Sequence, residues 1–238
     1  MTMKNILAVF SAALLSSFVP ASGNGGVPDG SDGASGNGYR EILRMQESGM
    51  HSRSRLLLKD IARESGKSSP EGYAVLSEVS MGLPGYEARM DAFISEHPYS
   101  VLVPQMRYLH ALNLFDSQDY KGAGELLETV PASCIGRSRL DEYLFKKAYC
   151  DLEAGELDRA LLRFAEIDRR PLSDFTAPAR YAAAYINYGK KNFREALDWF
   201  GKSVSDARFR DISNYYIMEC RFMLKDYRFV ADNGEQMY

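Results

Sequence analysis

The chain has 238 residues, of which 45% are hydrophobic and 26% are charged, so its composition supports a folded core and excludes disorder along the whole length. The 29 Lys and Arg residues nearly balance the 32 Asp and Glu residues, and the formal net charge is −3. A chain so balanced has no electrostatic footprint for nucleic acid or for an anionic membrane, and nucleic acid is excluded as the expected partner.

Residues 1–23 are predicted to be a secretory signal peptide. Lys4 precedes an apolar run from Ile6 to Val19, and small residues follow where a signal peptidase would cleave. The run has about 14 residues, fewer than the roughly 20 that a membrane span requires. An uncleaved membrane helix is the alternative for this segment. We therefore expect an exported chain with no integral membrane segment in its mature part.

Residues 24–38 are predicted to form a flexible tether rich in Gly, Ser and Asp. This stretch has almost no apolar groups, so it cannot bury enough surface to offset the entropy of ordering. Asp29 and Asp32 lie here, but their spacing does not match an EF-hand loop and no Glu closes one. No metal site is predicted in the tether.

Residues 39–238 carry a repeated pattern. Its landmark in each unit is an aromatic residue or Leu, followed three residues later by Ala and seven residues later by Leu or Phe; nine residues before it stands Ala and twelve before it an aromatic residue. The clear landmarks are Tyr120, Leu157 and Phe193, and weaker matches fall at His51, Tyr86 and Tyr227. Six units of 34 to 37 residues therefore follow the tether.

The spacing within each unit predicts two helices. Apolar residues recur at i, i+3, i+4 and i+7, and short polar stretches such as SQD and EAGE separate the two runs. Two helices that cross within about 8 to 10 Å need a small residue at the contact, which explains the repeated Ala. No such hairpin covers its own apolar face, so the units must stack. The sequence predicts an all-α, right-handed α-solenoid of about six helix-turn-helix units.

The period, the small residues and the aromatic-x-x-Ala-x-x-x-Phe phrase resemble the tetratricopeptide (TPR) repeat family. The resemblance covers residues 39–238 and is strong in units three to five; Ser54, Arg89 and Val230 replace the Ala that the family prefers in the others. The family's Trp and its Leu-Gly pair are not kept. The resemblance implies a non-catalytic scaffold that binds a protein or peptide.

A shorter segment, residues 93–115, resembles a junction found in exported bacterial TPR proteins, such as the outer-membrane assembly and Tol-Pal-associated families. In that junction Pro98 would end one helix and Ser100 would cap the next. The resemblance implies a location in a Gram-negative envelope, in the periplasm or associated with the outer membrane.

No catalytic residue, metal ligand or cofactor site is predicted. His51, His97 and His110 form no HExxH motif or His/Cys cluster, and no nucleophile elbow, Walker loop or dinucleotide fingerprint occurs. Of the three cysteines, Cys150 and Cys220 lie in apolar runs and are expected to be buried. A hydrolase built on helical repeats is the alternative from another class, since paired carboxylates can assemble in space.

Aromatic residues of the first helices are the predicted partner-binding site, because the resemblance implies that first helices line the concave surface of the array. The predicted residues are Tyr108, Tyr149, Tyr181, Tyr185, Tyr188 and Tyr215. The competing interpretation is that these rings are core shared by adjacent hairpins, and Tyr149 and Tyr185 are expected to be the most exposed. A carboxylate clamp is not expected, because the corresponding positions hold Leu, Lys146, Tyr and Ala.

The last ten residues, FVADNGEQMY, do not resemble the polar capping helix that usually closes a solenoid. Either the chain is the N-terminal regulatory or substrate-binding segment of a larger envelope complex protein, or the sixth unit is a frayed end. Nothing in the sequence specifies an oligomeric state.

Overall fold

The computed structural model describes residues 69–234, together with Met45 and Arg53. The predicted signal peptide, the tether and the first repeat unit lie outside or almost wholly outside these residues. The described residues form ten α-helices and two short 3-10 turns, with no β-strand. The helices are α1 Ser69–Ser80, α2 Tyr86–Glu96, α3 Val103–Asp116, α4 Tyr120–Thr129, α5 Leu140–Glu153, α6 Leu157–Asp168, α7 Thr176–Gly189, α8 Phe193–Ser203, α9 Arg210–Met223 and α10 Tyr227–Asn233.

The helices pair as the repeat predicts. In five successive hairpins the landmark residue is the first residue of the second helix: Tyr86, Tyr120, Leu157, Phe193 and Tyr227. In the three clear units the Ala before the turn and the Ala after it are fully buried, as is the Leu or Phe that follows: Ala111, Ala148, Ala184, Ala123, Ala160, Ala196, Leu127, Phe164 and Phe200. The predicted small-residue contact is therefore inside each hairpin.

The turns inside four hairpins share one backbone conformation. Their middle residues have positive φ: Gln118 at 67°, Gly155 at 79°, Lys191 at 62° and Lys225 at 64°. The amide after each donates to the carbonyl five residues back, as Asp119 N does to Leu114 O at 2.8 Å. This is the Schellman ending of a helix, which satisfies carbonyls that the last turn leaves open.

The second repeat unit departs from the pattern. Arg89 stands where the clear units have a buried Ala; it is exposed and pairs with Glu78 at 2.8 Å. The next residue, Met90, is buried instead, with Phe93. Phe93 keeps the buried position seven residues after the landmark, so α2 packs with the same face and Met90 replaces the small residue at the contact; an Arg there would place a charge in the core.

The described residues fall into two compact bodies that divide between Leu140 and Asp141. The N-terminal body has a core of nine buried side chains from α1, α2 and α3: Val75, Leu76, Val79, Tyr86, Met90, Phe93, Leu102, Val103 and Met106. Gly72 of α1 permits this packing, since a Cβ there would stand 2.7 Å from the Phe93 ring. Tyr86 Oη also hydrogen-bonds His110 Nδ1 at 2.6 Å, which gives this histidine a structural role.

The junction before α3 differs from the predicted one. The helix α2 ends at Glu96, just before Pro98, but α3 begins at Val103 with Leu102 at its N-cap position. Ser100 does not cap the helix; its Oγ accepts a hydrogen bond from Leu102 N at 3.3 Å. Pro104, at the start of α3, takes the position where a missing N–H costs nothing.

The C-terminal body joins its hairpins through aromatic contacts between neighbours. The aromatic residue twelve before a landmark packs on the Phe that precedes the next first helix: Phe145 lies 5.6 Å from Phe175, and Tyr181 lies 5.3 Å from Phe209, between ring centroids. Phe145 and Tyr181 are almost fully buried by this stacking. The position twelve before the landmark is therefore a stacking position.

Ion pairs tie the same hairpins together at their edges. Asp168 of α6 accepts from Arg180 Nε of α7 at 2.6 Å and from Lys202 Nζ of α8 at 2.8 Å. Burial alone would raise the pKa of Asp168, but the hydrogen bonds from Lys202 and Arg180 outweigh it and hold that pKa below its usual value.

Within the part of the chain that the structure describes, no helix is both long and apolar enough to span a membrane.

The Schellman turn predicts opposite effects for two Gly→Ala substitutions with the same open surroundings. Gly155→Ala forces a Cβ into the left-handed region and should lower the free energy of unfolding by about 1 kcal/mol. Gly201→Ala lies inside α8, where Ala is the better helix former, and should raise it by about 0.5 to 1 kcal/mol. Urea titration measures both; two changes of the same sign would contradict the assignment of the turn.

Asp168→Asn should lower the free energy of unfolding at pH 7 by about 1 to 2 kcal/mol, because it removes a charged acceptor shared by two cations. The folded pKa of Asp168 is lowered, so its contribution is present above about pH 4 and is lost as the pH falls through the folded pKa. The gap between variant and wild type should therefore narrow in acid, measured by urea titration from pH 7 to pH 3. Exposed Asp198→Asn is the control, with an expected change below about 0.5 kcal/mol.

Candidate functional site

The six predicted partner-binding tyrosines have different environments. Tyr108, Tyr149 and Tyr181 are buried, with 4%, 3% and 2% of their surface exposed. Tyr185 and Tyr188 are half-buried, and Tyr215 is 37% exposed. The prediction grouped two kinds of position, one used for stacking and one that keeps access to solvent.

The stacking position explains Tyr108, Tyr181 and Tyr215, which all stand twelve residues before a landmark. Arg139 lies over the Tyr108 ring at 5.8 Å from its centroid, as Phe209 lies against Tyr181. Tyr215 occupies the same position in the last described hairpin and keeps an exposed edge. Its exposure therefore reflects its place in the array more than a groove.

Tyr149 corrects a specific expectation. It was expected to be among the most exposed rings, yet it is buried, with Phe145 at 6.3 Å between centroids. A hydrogen bond joins Tyr149 to the Glu153 carboxylate one turn later; burial raises the pKa of Glu153 and this bond opposes the rise. Tyr149 therefore holds a half-buried carboxylate in place and offers no open ring face.

Tyr185 and Tyr188 of α7 form an aromatic cluster with Tyr216 of α9. The ring centroids of Tyr185 and Tyr188 are 6.0 Å apart, and those of Tyr216 lie 5.6 Å from Tyr185 and 5.1 Å from Tyr188. The Tyr216 contacts are edge-to-face, a favourable aromatic geometry. We call Tyr185, Tyr188 and Tyr216 the tyrosine patch.

Tyr216 is the buried floor of the tyrosine patch. It is 8% exposed and stacks on Phe200 of α8 at 5.2 Å with an interplanar angle of 7°. Because Phe200 is fully buried, this stack joins the patch to the core. Tyr185 and Tyr188 thus rest on a rigid base and keep part of their surface in solvent.

All three hydroxyls of the tyrosine patch are neutral at physiological pH. Burial raises the pKa of Tyr185, and burial with neighbouring phenols raises that of Tyr216 to about 12. Burial also raises the pKa of Tyr188, and the Glu219 carboxylate of α9 adds to this rise. The patch therefore presents aromatic rings, neutral hydroxyls and one nearby carboxylate.

Tyr216 was not among the residues predicted from the sequence. It stands eleven residues before the landmark, where α5 has Lys146 and α7 has Ala182, and both of these are buried in the structure. Because a Lys and an Ala do not mark a core position in a sequence, the repeat pattern contained no signal for the burial of Tyr216.

The other groups considered for chemistry have structural surroundings. No cluster of His, Cys, Asp and Glu in the described residues could hold a metal ion. Cys150 and Cys220 are buried as predicted, and burial raises the pKa of both thiols to about 12, whereas Cys134 is exposed. The buried Asp151 carboxylate is held by Arg159 at 2.8 Å and by Arg163 at 2.6 Å, an arrangement that fixes α6 on α5.

Comparison with known proteins shows similarity of fold at low sequence identity. No family model matches the chain, and a search of curated proteins also finds no match. The structure is similar to PilF of Pseudomonas aeruginosa with a TM-score of 0.59 and 11% identity, over 86% of this chain and 90% of PilF. It is similar to apo RapI with a TM-score of 0.56 and 12% identity, over 81% of this chain and 61% of RapI.

A further solved structure, MamA (AMB-1), is similar with a TM-score of 0.51 and 17% identity, over 71% of this chain and 89% of MamA. All three are TPR-repeat proteins. With the helical hairpins described above, these similarities confirm the predicted fold class, an all-α helical solenoid of the TPR type.

The buried ring of Tyr216 should contribute more to the stability of the fold than the half-buried ring of Tyr188. Tyr216→Ala should lower the free energy of unfolding by about 3 to 5 kcal/mol, because it empties a buried aromatic site against Phe200. Tyr188→Ala should lower it by about 1 kcal/mol, because that ring is half-buried. Phe222→Ala, at a ring that is 54% exposed, is the control for an open surface. Similar losses for Tyr188→Ala and Tyr216→Ala in urea titration would mean that Tyr188 is core.

Proposed function

We propose that the chain is a non-catalytic scaffold that binds a protein or peptide partner through the tyrosine patch. The observation that carries the proposal is the half-buried pair Tyr185 and Tyr188, held on the buried ring of Tyr216. Rigid aromatic rings with partial exposure give a partner a large contact area at low entropic cost.

The position of the pair in the repeat supports this role. Tyr185 and Tyr188 stand eight and five residues before their landmark, outside the repeated Ala positions and the aromatic position twelve before the landmark. Both rings pack on Tyr216 and still keep part of their surface in solvent, where a ligand can contact them. Fold similarity to TPR-repeat proteins agrees with a protein-interaction role and leaves the partner to be identified.

We also propose that the scaffold works in a Gram-negative envelope, in the periplasm or at the outer membrane. The support is in the sequence: the apolar run after Lys4, the small residues that follow it, and a segment with almost no apolar groups at residues 24–38. A tether of this composition would let the repeat domain reach a partner at some distance from any attachment.

Site-specific photo-cross-linking in living cells tests the proposal. A photoreactive benzoylphenylalanine replaces Tyr188 in the full chain, expressed in a Gram-negative cell that makes it naturally. We expect one discrete adduct in the envelope fraction, identified by mass spectrometry. The adduct should decrease at least about fivefold when Tyr185→Ala is added, because the neighbouring ring is part of the contact.

The matched control places the same photoreactive residue at Leu162. That side chain is 70% exposed on α6, a second helix of the same body, and no adduct is expected there. Equal adducts from both positions, or an adduct from position 162 alone, would contradict a binding surface at the tyrosine patch. Recovery of the adduct outside the envelope would contradict the proposed location.

A further inference from the structure

Several aromatic rings of the C-terminal body have a cation of the same chain over them. Lys202 Nζ lies 4.3 Å from the Trp199 ring centroid, and Arg221 lies 4.6 Å from that of Phe229. Lys147 lies over Tyr143 at 5.4 Å. A ring face carries negative charge density and attracts a cation, so these contacts are a repeated feature of this body.

The accessible rings of the tyrosine patch have no such cation from residues 69–234. Among the described residues, no Lys or Arg lies over the ring of Tyr185 or Tyr188, although both rings keep part of their surface in solvent. The two rings contact each other and further aromatic rings: Tyr216 in both cases, and Phe193 for Tyr188 at 5.8 Å. The patch thus offers aromatic faces that the chain itself leaves without a cation.

A carboxylate without a cation lies beside these rings. Glu219 stands three residues after Tyr216 on α9, which places the two side chains on neighbouring positions of one helix face, and its carboxylate helps to raise the pKa of the Tyr188 and Tyr216 hydroxyls. Glu219 is half-buried, and in the part of the chain that the structure describes no Lys or Arg forms an ion pair with it. A partly buried charge without a partner is costly, so a ligand that neutralises it gains affinity.

Three other carboxylates of this body are bound by its own cations. Asp151 binds Arg159 and Arg163, Asp168 binds Arg180 and Lys202, and Asp226 binds Arg221. The two helices that build the patch contain three cations, and each is already engaged: Arg180 with Asp168, Arg210 with Val204 O, and Arg221 with Asp226. No cation of α7 or α9 is therefore left for Glu219.

We propose that the tyrosine patch with Glu219 binds an arginine side chain of an extended basic segment of the partner. The guanidinium stacks on Tyr185 and Tyr188 while its N–H groups donate to the Glu219 carboxylate. Arginine fits better than lysine, because its planar group stacks on aromatic rings and can bind a carboxylate with two parallel hydrogen bonds. This inference rests on the proposed function, since it names the ligand chemistry of the same site.

Two short peptides that differ only in charge test this chemistry. One is acetyl-Gly-Gly-Arg-Gly-Gly-amide, and the other carries citrulline, the neutral analogue of arginine with the same shape. The full chain, labelled with ¹³C in its tyrosine rings, is titrated by NMR. We expect the arginine peptide to shift the Tyr185 and Tyr188 ring signals saturably, with a Kd on the order of millimolar, and citrulline to bind about tenfold more weakly.

Glu219→Gln tests the counter-ion. It keeps the shape of the side chain and removes the charge, so the arginine peptide should bind about threefold to tenfold more weakly while the citrulline peptide is unaffected. Glu195→Gln, at an exposed carboxylate of α8, is the matched control and should leave both affinities unchanged. Higher salt should weaken the arginine peptide and not the citrulline peptide.

The outcomes separate this inference from the proposed function. Equal affinity for the two peptides would overturn the arginine site, and a cross-link at Tyr188 would still support the scaffold. No ring shift with either peptide would also overturn it, because the patch would then have no preference for this cation. An equal loss of affinity in Glu195→Gln and Glu219→Gln would mean that Glu219 acts only through the general electrostatic attraction of the chain, and this would overturn its role as the counter-ion of the arginine. The comparison of the two peptides on the wild-type chain tests the arginine site even if Glu219→Gln fails to fold.

Discussion

The described fold depends on small residues where the two helices of each hairpin cross. In the three clear units an Ala of the first helix and an Ala of the second are both completely buried. A larger side chain there would separate the helices and leave gaps along the contact, and in a close-packed interior such gaps are costly. A hairpin held this tightly still cannot cover its outer apolar face, so its aromatic residues must find partners on the next hairpin.

The backbone at the turn follows from the same constraint. Helices that approach closely must reverse direction within three residues, and the Schellman turn achieves this with one left-handed residue. Gly155 suits that conformation, but Gln118, Lys191 and Lys225 adopt it as well. Each non-glycine residue there costs on the order of 1 kcal/mol, which the packing of the helices offsets. Tertiary packing, rather than residue preference, therefore decides the geometry of the turn.

Much of this fold could be predicted from the sequence because it depends on spacing. The landmark residues mark the start of five second helices, and the Ala positions mark the buried contacts. What spacing could not predict was the contact residue of α2, where Met90 is buried and Arg89, three residues after the landmark, is exposed. Only the charge of Arg89 indicated that this position does not pack in the core. The start of α3 was also not predicted. Ser100 lies in a hydrogen-bonded turn before the helix, where its Oγ accepts from Leu102 N and its carbonyl accepts from Val103 N.

The candidate site was harder to predict because side-chain exposure depends on two neighbours that are distant in sequence. Tyr185 and Tyr149 hold the same position in successive units, yet only Tyr185 keeps access to solvent. Spacing relates a residue to its own hairpin, whereas the adjacent hairpins determine whether its ring is covered. Tyr216 illustrates this: its sequence neighbour Tyr215 is exposed, while Tyr216 is enclosed by rings from α7 and α8.

Positions outside the repeated Ala and aromatic contacts are where one unit can differ from another. Eight residues before the landmark the units have Leu112, Tyr149, Tyr185 and Glu219, and five residues before it they have Phe115, Leu152, Tyr188 and Phe222. These residues differ in size, polarity and charge, although the buried Ala contacts beside them hardly change. A charged Glu219 is tolerated because its neighbours Met218 and Cys220 carry the packing. The fold therefore permits the chemistry of its open surface to change one unit at a time, and the combination of Tyr185, Tyr188 and Glu219 gives this part of the array a character that the other described units do not share.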